Sequence, residues 1–149
     1  IGGSGDDNLS GGGGDDLLKG GGGHDKLVGD AGNDTLKGGG GSDRMDGGIN
    51  NDKLIGGGGK DIIEGGLGDD VMKGGGGQDV FIFDLREGGK TGSDKIKGFD
   101  AEADTLKFFG ITEVSVSKSR AGTKIDFEGG DILLQKKSFA EGEISIEFV

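Results

Sequence analysis

The sequence predicts an all-β solenoid, a coil of short parallel strands stacked along one axis. Three observations predict it. A nine-residue period runs without a gap from Gly2 to Ile82, an aspartate sits at one fixed phase of it, and a large apolar residue follows two places later. From Gly2 the nine units read GGSGDDNLS, GGGGDDLLK, GGGGHDKLV, GDAGNDTLK, GGGGSDRMD, GGINNDKLI, GGGGKDIIE, GGLGDDVMK and GGGGQDVFI.

Each place in the unit has its own rule. Position 1 is always Gly, position 2 is Gly except at Asp30, and position 4 is Gly except at Asn50. Glycines this dense allow positive φ and close backbone approach, and Asn visits the left-handed region more readily than most residues. Positions 1 to 6 are therefore expected to form a tight turn. Position 8 is always large and apolar: Leu9, Leu18, Leu27, Leu36, Met45, Leu54, Ile63, Met72 and Phe81. Positions 7 to 9 are expected as a very short strand whose middle side chain points inward. Positions 5, 7 and 9 vary freely and are mostly polar. One unit buries nothing alone, so units must stack. Two units make one coil of 18 residues, with odd units on one side and even units on the other. At a strand spacing of ~4.8 Å the roll is roughly 20 Å long.

Position 6 carries the chemistry. Stacking puts Asp7, Asp25, Asp43, Asp61 and Asp79 in one column and Asp16, Asp34, Asp52 and Asp70 in the other. Carboxylates one strand spacing apart repel, so folding needs a divalent cation between neighbours. Carboxylates and turn carbonyls form an all-oxygen set, which suits Ca²⁺ better than Mg²⁺. Zinc is disfavoured, because the chain has no Cys and one His, His24.

Composition agrees. The 149 residues include 39 Gly, no Pro, Cys, Trp or Tyr, and a net charge of −11. A chain so acidic and glycine-rich stays disordered unless something cancels its charge, so metal-coupled folding is expected. The balance excludes nucleic-acid binding, which needs clustered Lys and Arg. No apolar run approaches the ~20 residues of a membrane helix. Catalysis has little to stand on: there is no HExxH motif or Cys nucleophile, and His24 sits at a variable turn position. The protein is read as a non-enzyme. The absence of a signal-peptide pattern and the start at Ile1 predict a piece of a longer polypeptide, with an upstream domain as a partner.

Residues 2–82 resemble the repeats-in-toxin calcium-binding nonapeptide family. The resemblance implies a right-handed parallel β-roll that holds Ca²⁺ between turns one coil apart. Ligands would be both position-6 aspartates, with carbonyls of positions 1 and 3 from one turn and 2 and 4 from the other. Carried over, the first set is Gly2, Ser4, Gly11, Gly13, Gly20, Gly22, Gly29, Ala31, Gly38, Gly40, Gly47, Ile49, Gly56 and Gly58. The second is Gly21, Gly23, Asp30, Gly32, Gly39, Gly41, Gly48, Asn50, Gly57, Gly59, Gly66, Gly68, Gly75 and Gly77. Nine turns then give about seven full sites, four in the odd column and three in the even one.

The repeat stops at Ile82, dividing the chain into a calcium-binding roll, 1–82, and a C-terminal capping β-meander, 83–149. All eight Phe lie at or after Phe81. Asp94–Phe99 and Asp104–Phe109 resemble the segments that follow the repeats in secreted members, and Asp94, Asp100 and Asp104 are expected as solvated loop carboxylates, with one further Ca²⁺ site among them as the alternative. Strands are expected around Val114–Val116, Ile125–Phe127, Ile132–Leu134 and Ile144–Val149, with turns at 120–122 and 128–131 and at most one short helical turn near 138–140. Some of Ile49, Ile62, Leu67, Val71 and Val80 are expected to dock the cap.

The resemblance implies a secreted, extracellular, monomeric module of a Gram-negative protein. It would leave through type I secretion machinery by a C-terminal signal, to which Glu147-Phe148-Val149 is similar. It would fold on Ca²⁺ outside the cell. Two other readings stay open: a calcium-rigidified adhesive segment, and a polysaccharide-binding module attached to an enzyme.

Overall fold

The computed structural model describes residues 1–86, 90–110, 114–119, 122–127, 130–135 and 144–149. Among them the chain is all β. Strands β1 (Gly3–Ser4), β3 (Leu17–Gly22), β5 (Thr35–Gly40), β7 (Lys53–Gly58) and β9 (Val71–Gly76) lie in one sheet. Strands β2 (Asn8–Gly13), β4 (Lys26–Ala31), β6 (Arg44–Ile49), β8 (Ile62–Leu67) and β10 (Val80–Asp84) lie in the other. Every pairing among these strands is parallel, and partners differ by 18 residues, as in Leu27↔Met45 and Leu36↔Leu54. The architecture is a parallel β-solenoid.

The strands are longer than expected. Each full repeat strand has six residues, from position 7 through position 3 of the next unit, which leaves only positions 4 to 6 for the turn. The extension follows from hydrogen bonding. The next coil offers donors and acceptors opposite the glycines, so extended backbone continues through them (Gly21↔Gly39, Gly22↔Gly40). It also follows from burial, since position 1 points inward beside position 8: Gly20, Gly29 and Gly38 are buried. Two exceptions to the glycine rule, Asp30 (φ 74°) and Asn50 (φ 82°), keep the left-handed backbone of the residues they replace.

The sheets run past residue 82. Strands β11 (Gly92–Lys97) and β12 (Thr105–Phe109) add in parallel to β9 and β10, with Ile96 against Met72 and Leu106 against Phe81. Strands β15 (Gly130–Gln135) and β16 (Ser145–Phe148) add again, placing Leu134 against Ile96 and Ile146 against Leu106. Strands β13 (Val114–Ser119) and β14 (Gly122–Phe127) then close one sheet as an antiparallel meander with β15. The helical turn expected near 138–140 and the turns at 120–121 and 128–129 lie outside the described residues.

The core is a double column of position-8 side chains. Leu18, Leu27, Leu36, Met45, Leu54, Ile63, Met72 and Phe81 are continued by Ile96, Leu106, Ile132 and Leu134, all buried. Phe108 anchors the C-terminal end, 5.3 Å from the rings of Phe83 and Phe127 and 6.0 Å from Phe148. The C-terminal strands therefore stack on the end of the repeats. Ile49 and Leu67, two of the candidates to dock the cap, are paired neighbours at the ends of β6 and β8 and remain 52% and 40% exposed. Ile62, Val71 and Val80 are half-buried on the same outer faces as their strand neighbours.

Candidate metal centres

The turn at positions 4 to 6 turns each aspartate under its own strand, because the position-1 glycine leaves the space. A Cβ on Gly11 would lie 2.8 Å from Asp16 Oδ2 and 2.8 Å from the Gly29 carbonyl of the next coil. The same collision recurs at Gly20 with Asp25 and Gly38, and at Gly29 with Asp34 and Gly47. Glycine at position 1 is thus a requirement of the carboxylate.

Each carboxylate uses its two oxygens differently. Oδ1 reaches back one coil and accepts the backbone N–H of the preceding aspartate. Asp25 donates to Asp43 at 2.9 Å, Asp34 to Asp52 at 2.7 Å, Asp43 to Asp61 at 2.9 Å and Asp52 to Asp70 at 2.8 Å. The bonds from Asp7 to Asp25, Asp16 to Asp34 and Asp61 to Asp79 complete the two columns. Oδ2 faces the following coil. In Asp7, Asp25, Asp34, Asp43, Asp52, Asp61, Asp70 and Asp79 it is buried and has no hydrogen-bond partner. A buried carboxylate oxygen left alone is costly. A row of them is an arrangement that asks for cations.

The backbone completes the gap. The position-2 and position-4 carbonyls point forward: those of Gly3 and Gly5 lie against the Cβ positions of Gly21 and Gly23. The position-3 carbonyls point back, accepting position-4 N–H groups (Gly5 to Gly22 at 2.6 Å, Gly23 to Gly40 at 2.9 Å). The position-1 carbonyls also point back, as that of Gly29 does toward Gly11. Between turns one coil apart, the converging carbonyls are therefore positions 2 and 4 of the earlier turn and 1 and 3 of the later one. The set expected from the resemblance takes positions 1 and 3 from the earlier turn and positions 2 and 4 from the later one. The carbonyls of Gly3, Gly5 and Gly14 point toward the next coil, at Gly21, Gly23 and Gly32. The Gly68 carbonyl points onward past the repeats, at Gly92.

Electrostatics agree. Burial pushes the carboxyls of Asp52, Asp61 and Asp70 up to about 7, 6 and 6, and neighbouring carboxylates add to the rise. The N–H donated to each Oδ1 offsets part of it. Among the described residues no three His, Cys, Asp or Glu side chains converge. A cation here draws on carboxylate pairs and carbonyls, a set that fits a hard ion with six or more oxygen ligands.

Three placements depart from expectation. Asp94 and Asp104 are not solvated but buried, at 2% and 4% exposure, and they continue the columns; Asp100 is exposed. Position 5 is not free. Its side chains accept the position-5 N–H of the next coil, from Asp6 to His24 to Ser42 to Lys60 on one side and from Asp15 to Asn33 to Asn51 to Asp69 on the other. His24 is a rung of that exposed ladder. The signal in the sequence was the excess of short acceptors at position 5.

Fold and site together define a parallel β-solenoid with two internal carboxylate columns. A profile of the RTX calcium-binding nonapeptide repeat matches residues 1–36, 20–54 and 46–81, and the chain belongs to that family. The family's repeats bind Ca²⁺, and the stacked buried aspartates fit this. No curated protein matches the chain. Among solved structures, the extracellular lipase LipA from Serratia marcescens is similar at 19% identity and a TM-score of 0.47, over 91% of this chain and 38% of the lipase. The AlgE6R3 subunit of the Azotobacter vinelandii mannuronan C5-epimerase is similar at 27% identity and a TM-score of 0.36, over 100% of this chain and 80% of that one. The chain thus spans well under half of the lipase's length. No described helix is long and apolar enough to cross a membrane.

Proposed function

We propose that this chain is a calcium-triggered folding module, serving the one-step export and extracellular stability of a longer secreted protein. The observation that carries the reading is the row of buried, unpartnered Oδ2 atoms. Each gap would be filled through Oδ2 of the earlier aspartate, Oδ1 of the later one, and the four carbonyls named above. Seven such gaps lie between repeat turns. Bound Ca²⁺ supplies the charge that the columns lack. The chain supplies the rest: glycines admit the carboxylates, position-8 side chains hold the coils in register, and the C-terminal strands cover the open end.

Without the cation, the repelling columns keep the chain unfolded where Ca²⁺ is scarce, the state that a narrow secretion channel requires. Outside, about millimolar Ca²⁺ reaches the range of weak extracellular sites and the coils close. The division into a roll, 1–82, and a capping segment, 83–149, belongs to this proposal. So do the monomeric state and the C-terminal export signal.

The test is far-UV circular dichroism during a Ca²⁺ titration, with Mg²⁺ as control. A cooperative coil-to-β change with Ca²⁺ alone supports the reading. A β-rich spectrum indifferent to chelator overturns it.

A further inference from the structure

Both carboxylate columns outrun the repeats. Asp70 donates its N–H to Asp94 Oδ1 at 2.9 Å, and Asp79 donates to Asp104 Oδ1 at 3.0 Å. These are the bonds that link aspartates inside the roll. The turn ending at Asp94 also repeats the turn contacts. Gly68 N–H donates to the Thr91 carbonyl at 3.2 Å, as Gly32 does to Ile49. Lys95 N–H donates to the Asp70 carbonyl at 2.8 Å, as Lys53 does to Asp34. Gly92 takes φ 88°, and the Gly68 carbonyl points at it as Gly23 points at Gly41. In the other column Thr105 N–H donates to the Asp79 carbonyl at 2.8 Å.

The unpartnered oxygens mark where the columns need charge. If cations filled only the gaps between repeat turns, the forward-facing Oδ2 atoms of Asp70 and Asp79 would stay bare, yet both side chains are 1% exposed. Beyond them the need stops. Asp104 Oδ2 accepts the N–H of Asp100 at 2.8 Å. Asp94 is followed in register by Ile132, fully buried, where a further aspartate would stand.

We propose two further calcium sites beyond the nonapeptides, one between Asp70 and Asp94 and one between Asp79 and Asp104. The first would also take the carbonyls of Gly68 and Thr91, which face the same gap. These sites rest on the calcium reading above, and they make the cap part of the metal-binding unit. Calcium would weld the C-terminal strands to the roll.

The test is the calcium content of the folded full chain, measured by atomic emission after gel filtration in Ca²⁺. Seven repeat gaps plus these two predict about nine ions per chain. Asp94→Ala and Asp104→Ala should each lose one, and the double variant two. If an alanine variant does not fold, the isosteric Asp94→Asn or Asp104→Asn is read by the same loss, or by several-fold weaker binding of the last ion. A wild-type content of seven, unchanged in the variants, overturns the proposal and leaves the module's calcium reading intact. A wild-type chain that binds none overturns both.

Discussion

The N–H of Asp70 meets Oδ1 of Asp94 at 2.9 Å across 24 residues, the same contact that Asp52 makes with Asp70 across 18. The fold thus conserves the carboxylate step while the sequence spacing changes. Six extra residues are absorbed before the turn, and neither the hydrogen bond nor the register of β11 on β9 is lost. The columns are units of three-dimensional periodicity, and the perturbation of one member must reach its neighbours on both sides.

Position within a column therefore sets the cost of losing an aspartate. Asp43 accepts the N–H of Asp25 and faces two gaps, whereas Asp7 faces one. Asp43→Ala leaves a buried N–H unsatisfied, about 1–3 kcal/mol, and strips a ligand from two sites. It should raise the Ca²⁺ midpoint of folding several-fold more than Asp7→Ala. Equal midpoints in parallel titrations would count against stacked columns.

Acid should partly replace calcium. Burial raises the carboxyls of Asp52, Asp61, Asp70 and Asp94 to about 7, 6, 6 and 8. A carboxyl raised on folding contributes stability below its unfolded value near 4, and that contribution is lost as pH rises through its folded value. In chelator, the roll should be most stable near pH 4 and lose stability progressively from there to about pH 8, where the loss levels off. With Ca²⁺ the trend reverses, because the ligands must be deprotonated. Thermal melts across this range with and without chelator decide it. Stability in chelator that rises with pH would contradict the buried columns.

The glycines divide into two kinds. A Cβ on Gly20 would strike Asp25 Oδ2 and the Gly38 carbonyl, whereas one on Gly22 meets nothing within 4 Å. Gly20→Ala should cost at least about 2 kcal/mol, by displacing a buried charged group. Gly22→Ala should fall within about 0.5 kcal/mol of neutral, or stabilise slightly by stiffening the unfolded chain. Melting temperatures in saturating Ca²⁺ separate them, and equal losses would refute the role assigned to position 1.

The sequence carried the period, the 18-residue coil, the inward position-8 column and the stacking of the repeat aspartates, because each is a repetition at fixed phase. It hid what depends on partners from other coils. The strands reach through Gly20–Gly22 only because Gly38–Gly40 lie beside them, and carbonyl direction is a property of the folded turn. Asp94 and Asp104 looked like loop residues because insertions break the nine-residue count. Their phase was still visible in Asp94-x-Ile96 and Asp104-x-Leu106, which keep the two-residue step from position 6 to position 8.

The C-terminal strands meet the roll end-on, through strand pairing and an aromatic stack. Phe108 is fully buried among Phe83, Phe127 and Phe148 and continues the inward face of β12. Phe108→Ala should cost about 3–5 kcal/mol. It should also expose the C-terminal strands to proteolysis before the repeats unfold, since it loosens the last coil first. Ile49→Ser and Leu67→Ser remove exposed apolar groups from the side of the roll and should change stability by about 0.5 kcal/mol or less. Limited proteolysis and melts in saturating Ca²⁺ test both halves. If Ile49→Ser and Leu67→Ser free the cap as readily as Phe108→Ala, the cap must pack against the flank of the roll, and the end-stacked arrangement fails.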